Sequence, residues 1–190
     1  MNIKKMVIYF ISLGLINSWF AIAQAEILSS NKAVDLPPVV GTREINADVR
    51  EEANRLSSSD LRIKYLFTVV SDSTNTLSVT NNFRKASAIR LLGVMASTNA
   101  INILVSNIAF EDIKYHDNPA VEALVSIGEP AVFQLLEVVK EPLGNSRRVP
   151  CAVEALMKIK GDRYNEFVQG QKNKMSSEIW KRLLEYAVVD

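Results

Sequence analysis

Apolar residues along most of this chain recur every three or four positions, which is the spacing of one face of an α-helix. The pattern begins near residue 42 and continues to the C-terminal end, and the longest alternating strand pattern is Leu77-Ser78-Val79. Residues 26–41 show no periodicity and contain Pro37-Pro38, a pair that blocks helix formation. We therefore predict an extended leader over residues 26–41 and an all-α domain over residues 42–190.

An internal repeat of constant spacing organises the helical region. Three segments align without a gap, and each begins 32 residues after the one before it. They are SAIRLLGVMAS (87–97), PAVEALVSIGE (119–129) and CAVEALMKIKG (151–161). Since one such unit cannot bury its apolar face alone, stacked units are expected to share a core. The aligned columns predicted to be buried are Ala88, Ala120 and Ala152, then Leu92, Leu124 and Leu156, then Met95, Ile127 and Ile159.

Each repeat is predicted to contain two helices. The aligned segments above form the first helix, and a second helix follows it. Arg90, Glu122 and Glu154 fall between the apolar columns and are expected on the polar face of the first helices. The second helices are predicted to keep the same repeat spacing. Their apolar columns are Ile103, Leu135 and Phe167, and next to them Leu104, Leu136 and Val168.

The unit AVEALVSIGEPAVFQLLEVVKE (120–141) resembles the HEAT repeat, in particular the short bacterial type found in phycobilisome lyases. The clearest repeats occupy residues 82–110, 118–141 and 147–170. The resemblance implies an α-solenoid of paired antiparallel helices, an armadillo-like superhelix with about four helix pairs and a C-terminal capping helix. It does not imply lyase chemistry, because one fold serves many functions.

The resemblance also implies a binding surface. In solenoids of this type the second helices line the concave side, so polar columns on those helices would face a partner. A solvated face with no partner is the competing interpretation. The predicted partner-binding residues are Asn102, Gln134, Glu137, Glu166 and Gln169.

Residues 1–25 have the three parts of a secretory signal peptide. Lys4 and Lys5 precede an apolar run over residues 6–22, and Ala23-Gln24-Ala25 provides a small-x-small cleavage signature. A membrane anchor is the alternative, but a run of this length is at the lower end of what spans a bilayer. We predict cleavage after Ala25, a periplasmic or secreted protein, and no stable membrane insertion afterwards.

Composition narrows the chemistry. The formal charge of +1, from 22 basic and 21 acidic residues, gives no electrostatic reason to expect a nucleic acid partner. A single Cys excludes an intrachain disulfide, and a single His excludes metal sites that need two imidazoles. Glu111, Asp112 and Asp117, with His116 in an exposed loop, would form at most a loose cation site, since their spacing matches no calcium or zinc pattern.

These observations favour a binding protein over an enzyme. We expect a periplasmic or secreted HEAT-repeat scaffold that binds a protein partner through its concave surface, without catalytic residues, cofactor or metal. Two alternatives stay open at this point. One is an accessory lyase-like enzyme acting on a bound ligand, and the other is a structural subunit of an envelope assembly.

Overall fold

The computed structural model describes residues 34–72, 78–142 and 147–185. The predicted signal peptide, its cleavage site after Ala25 and the first half of the leader, residues 26–33, lie outside these residues. The described part of the chain consists of α-helices, short 3₁₀ turns and one two-stranded hairpin, so the predicted all-α class is confirmed. In that same part, no helix has both the length and the hydropathy needed to cross a membrane.

The elements follow one another in pairs. The hairpin is formed by β1 (Val39–Val40) and β2 (Arg43–Glu44), which pair antiparallel. A 3₁₀ turn precedes the second helix of each later pair, at Thr98–Ala100, Glu129–Ala131 and Gly161–Arg163. The helices are α1 (Ala47–Asn54) and α2 (Ser59–Ser71), α3 (Val79–Val94) and α4 (Ile101–Ser106), α5 (Pro119–Ile127) and α6 (Val132–Val139), α7 (Arg148–Lys160) and α8 (Tyr164–Gln171), and then α9 (Ser177–Glu185).

The hairpin corrects the prediction for the leader. Residues 26–41 were expected to carry no secondary structure, and the helical region was expected to begin directly after them. Instead the chain turns back at Gly41, whose φ of +59° suits glycine, and β2 lies beyond the predicted boundary. Helix α1 begins only at Ala47, because Asn46 caps it by accepting the N–H of Val49.

Successive helix pairs pack in register with one another. The first helices form a continuous series, with α1 against α3, α3 against α5 and α5 against α7. Among the second helices α4 contacts α6, and each of α2, α4 and α6 contacts the first helix of the next pair. Such contacts are expected of stacked helix pairs. The superhelical path of a HEAT solenoid stays a prediction.

The predicted core of the first helices is confirmed. The Ala88, Ala120 and Ala152 column is fully buried, and so is the Leu92, Leu124 and Leu156 column. Positions four residues apart lie on one side of a helix, so the repeat places both columns between layers. The third column is at the edge of the core, where Ile127 is buried and Met95 and Ile159 are half-buried.

The second helices do not keep the repeat spacing. Their equivalent fully buried residues are Leu104, Leu135 and Val168. The step from Leu104 to Leu135 is one residue shorter than the repeat, and the step from Leu135 to Val168 is one residue longer. The predicted column of Ile103, Leu135 and Phe167 is therefore wrong in register, because Ile103 and Phe167 are only half-buried.

The register changes in the connections between the helices. Ala96 after α3 and Gly128 after α5 both have positive φ and are separated by the expected repeat length. The 3₁₀ turn follows Gly128 directly, whereas Ser97 stands between Ala96 and its 3₁₀ turn. The corresponding positive φ after α7 is at Gly161, one residue later than the repeat predicts. Each shift of one residue rotates the following helix by about 100° relative to the aligned sequence.

Arginine side chains close the C-terminal ends of three helices in the described part of the chain. The last carbonyl oxygens of a helix lack intrahelical partners, and a guanidinium can satisfy two of them at once. Arg62 donates to the carbonyl oxygens of Asn54 and Leu56 after α1, Arg148 to those of Val105 and Ser106 after α4, and Arg182 to those of Val139 and Glu141 after α6.

Helix α9 packs against the last pair, as a capping helix would. Leu183 is fully buried, and its carbonyl oxygen accepts the Tyr164 hydroxyl from α8. The Trp180 indole donates to the carbonyl oxygen of Val168. The apolar face of α9 therefore covers α8, and its contact with α6 extends this cover to the preceding pair.

Candidate functional site

Most of the predicted partner-binding residues are exposed. Asn102 on α4, Glu137 on α6, and Glu166 and Gln169 on α8 all face solvent. Gln134 on α6 is half-buried, and its Oε1 is buried without a hydrogen-bond partner among the described residues.

An aromatic residue takes the exposed position that the repeat assigned to Gln134. Phe133 is 68% exposed on α6, and the corrected register aligns it with Asn102 on α4 and Glu166 on α8. The buried face of α6 is formed by Leu135, Val138 and Val139, and Phe133 lies off that face. Helical periodicity within α6 alone predicts that Phe133 is exposed, whereas the gapless repeat alignment assigned the exposed position to Gln134. We call Asn102, Phe133, Glu137, Glu166 and Gln169 the second-helix surface.

The helices that carry this surface are linked in two ways. α4, which carries Asn102, and α6 contact each other directly. α8 is linked to the start of α6 through Lys160, which pairs with Glu129 at 2.6 Å and lies 4.7 Å from the centre of the Phe167 ring. In addition, α9 contacts both α6 and α8.

A second cluster of polar side chains lies under the loop between α4 and α5, and it overturns the expected exposure of Arg90. The Arg90 side chain is 1% exposed, and its two terminal nitrogens each donate to a carboxylate at 2.7 Å. The acceptors are Asp112, which is fully buried, and Asp117. Residues 86–93 of α3 are all buried, so a long cationic side chain has no route to solvent there.

These pairs also correct the idea of a loose cation site at Glu111, Asp112 and Asp117. The cation that both aspartates hold is the guanidinium of Arg90. Glu111 pairs with Arg147 instead, at 2.6 Å. Within the described residues, no group of His, Cys, Asp and Glu side chains has an arrangement that holds a metal ion.

The loop itself is fixed by hydrogen bonds. Asn82 on α3 accepts the N–H of Ile113 and donates to the carbonyl oxygen of Glu111. Asp112 and Asp117 form an isolated antiparallel bridge, which leaves His116 at the turn with a φ of +52°. His116 is exposed as predicted, and its Nδ1 lies 3.8 Å from the Glu111 carboxylate.

Between this loop and α7 the surface forms a groove of about 350 Å³. Its lining includes Arg43 of the hairpin, Asp117 of the loop, and Cys151 and Glu154 of α7. Burial raises the pKa of the Cys151 thiol, although Asn118 donates to its sulfur at 3.2 Å. A nucleophilic cysteine needs the opposite change, since the thiolate is the reactive form.

At the edge of the groove, one ion pair fixes the protonation state of a carboxylate. Arg147 lowers the pKa of Glu111 by hydrogen bonding and by its charge. A carboxyl group that acts as a general acid near neutral pH needs a raised pKa. Glu111 is therefore suited to pairing with a cation, and it lacks the environment of a general acid.

Comparison of the chain with protein-family models, curated proteins and solved structures finds no match. The HEAT resemblance accordingly rests on the repeat pattern in the residues themselves. The described surface has two features that could bind a partner, the second-helix surface and the groove beside Arg90 and its aspartates.

Proposed function

We propose that this chain is an exported, non-catalytic module that binds a protein partner through the second-helix surface. The observation that carries the proposal is the exposure of Phe133. A large aromatic side chain that is 68% exposed keeps apolar surface in contact with water, which is unfavourable in the free protein. Aromatic residues of this kind are enriched among the few residues that supply most of the binding energy at protein interfaces.

The surroundings of Phe133 support this assignment. Leu136, three residues further along α6 and half-buried, lies on the same side of the helix and extends the apolar area. Exposed polar residues accompany it, with the Glu137–Lys140 ion pair on the same helix and Asn102 on the neighbouring α4. An apolar centre within a polar rim is the usual arrangement of a protein interface.

The test compares matched exposed apolar residues on the two layers of helices. Phe133→Ser removes the proposed anchor, and Val94→Ser changes a residue on α3 that is 45% exposed. Both variants should keep stability within about 0.5 kcal/mol, because neither side chain is in the core. A partner captured from the native envelope, identified and purified, is then titrated against each protein. We expect Phe133→Ser to weaken binding about 30-fold and Val94→Ser to leave it unchanged. Loss of binding by Val94→Ser alone would place the interface on the first helices.

Charge reversal tests the polar border of the same surface. The double variant Glu137→Lys and Glu166→Lys should weaken a basic partner more than a neutral one, and the loss should shrink at high salt. Glu154→Lys on α7 is the control, since Glu154 is exposed on a first helix and pairs with Lys158. Abolished binding in the control, with full affinity in the double variant, would refute the surface.

The proposed export of the protein rests on the N-terminal sequence pattern. Intact-mass measurement of the protein from its native host should show the loss of residues 1–25, with Glu26 as the new N-terminus. Recovery of the full-length chain from the membrane fraction would refute both cleavage and release.

A further inference from the structure

Residues 36–45, which we call the strap, are held at both ends by apolar burial and at the hairpin turn mainly by polar contacts. Leu36 before β1 and Ile45 after β2 are buried in the core, with exposures of 7% and 5%. Between them Val39, Gly41 and Thr42 are exposed. Segments with few buried contacts open locally at a much lower cost than global unfolding.

Polar contacts hold the middle of the strap. Lys114 donates to the Glu44 carboxylate at 2.8 Å, and the Glu44 backbone N–H donates to the Tyr115 hydroxyl at 3.1 Å. Arg43 reaches Asp117 at 2.5 Å and Glu122 at 3.5 Å. The Lys114 and Glu44 side chains are partly exposed, so dissolved salt weakens their attraction.

The Arg43 contact is close but poorly aligned. The Nε of Arg43 and the Oδ2 of Asp117 are both buried, and neither has a hydrogen bond of good geometry among the described residues. The hairpin backbone constrains where this guanidinium can lie. A guanidinium on a free chain could turn to form the paired, parallel hydrogen bonds that arginine and carboxylates prefer.

The acceptor site keeps an excess of negative charge without Arg43. Asp112 and Asp117 bind the buried Arg90 guanidinium, and a Glu122 oxygen lies 4.0 Å from the Arg90 Nε. Three carboxylates then face a single fixed cation. Release of the strap therefore exposes a site that favours a second cation, and Asp117 and Glu122 are placed to receive a planar one.

We propose that Arg43 occupies, in cis, a guanidinium-binding site formed by Asp117 and Glu122, and that an arginine side chain of a partner polypeptide displaces the strap from it. The groove beside the site leaves room for the incoming chain, since its lining includes Arg43, Asn118 and Glu154 of α7. The site lies on the side of the first helices, so it is independent of the second-helix surface.

Removal of the competing side chain tests the site. The probe is a short peptide with one arginine, acetyl-Gly-Arg-Gly-amide, and its control has citrulline, which has the same shape without the charge. The Arg43→Ala chain should bind the arginine peptide at least about tenfold more tightly than the unchanged protein does, and high salt should weaken binding. Arg55→Ala, at an exposed arginine directly after α1 that lies 3.9 Å from Glu51, should behave like the unchanged protein. Equal affinity of the Arg43→Ala and unchanged proteins, or equal binding of both peptides, overturns the proposal.

A measurement on the unchanged protein covers the case in which Arg43→Ala does not fold. The backbone N–H groups of Glu44 and Ile45 are hydrogen-bonded, to Tyr115 and to the carbonyl oxygen of Pro38. A saturating concentration of the arginine peptide should speed hydrogen exchange at both of them, while the citrulline peptide should not. Unchanged exchange at both amides overturns displacement of the strap.

Discussion

Gly93 on α3 lies directly against Ala123 on α5. A Cβ atom at Gly93 would be 2.6 Å from the Ala123 Cα and 2.8 Å from its Cβ. Both distances are shorter than those at which Cβ atoms contact non-bonded atoms in proteins. Both residues are buried, and α3 and α5 make the most extensive helix contact in the described part of the chain. The missing side chain of Gly93 is what allows these two helix backbones to approach so closely.

Gly93→Ala should therefore destabilise the protein. A methyl group there forces α3 and α5 apart, and overpacking of this kind costs roughly 1–3 kcal/mol. Gly170→Ala on α8 is the matched control, because no described atom lies within 4 Å of the Cβ position there. That change should stabilise by about 0.5–1 kcal/mol through helix propensity. Denaturant titration of both variants measures the difference, and equal effects would show that the helices are not in close contact at Gly93.

Ala96→Gly should stabilise the protein. Ala96 ends α3 with a φ of +46°, which is unfavourable for a residue with a Cβ, whereas Gly128 and Gly161 occupy the corresponding positions after α5 and α7. Relief of this strain exceeds the added entropy of glycine in the unfolded chain, for a net gain of about 0.5–1 kcal/mol. The reverse change, Gly128→Ala at a φ of +75°, should cost about 1–3 kcal/mol. Thermal melting distinguishes the two variants, and a loss of stability in Ala96→Gly would contradict the argument.

Arg90→Ala should be among the most damaging single changes. It leaves Asp112 buried without its counter-ion, and breaking a buried pair in this way costs roughly 3–5 kcal/mol. Arg55→Ala, where the side chain is 76% exposed, should change stability by less than about 0.5 kcal/mol. Denaturant titration of the two variants measures both costs.

A double variant separates the charge from the packing of Arg90. Arg90→Met together with Asp112→Asn removes both charges and keeps similar volume, so it should recover a large part of the loss. A double variant as unstable as Arg90→Ala would mean that the ion pair is not the cause.

Stability should fall in acid through the carboxylates that pair with arginine. Hydrogen bonding by Arg148, and its charge, lower the pKa of Glu141 below its ordinary value of 4.5. The stabilisation is thus fully present above the unfolded value and is lost as the pH falls through the lower folded value. Glu141→Gln should make the decline between about pH 5 and pH 3 shallower than in the unchanged protein. Denaturant titration at several pH values measures the slope, and an unchanged slope would exclude Glu141 as a contributor.

The sequence alone was enough for the class of the fold and the order of its helices, although it missed the hairpin. The all-α class, the four successive helix pairs and the burial of the Leu92, Leu124 and Leu156 column all follow from helical periodicity. Such features depend on residues a few positions apart, so they are visible in a single chain. The exposed side of the second helices was predictable in outline, and Phe133 could have been found from the apolar face of α6 alone.

Tertiary structure decided the features that depend on distant residues meeting. A repeat alignment treats equal spacing as equal environment, yet one residue more or less in a connection rotated α4 and α8 relative to α6 and replaced Gln134 by Phe133 at the surface. Arg90 occupies the same column as Glu122 and Glu154, but two aspartates from a loop beyond the next helix hold it inside. Its charge could be neutralised only by partners that folding brings together, and a buried ion pair of this kind leaves no periodic mark in the sequence.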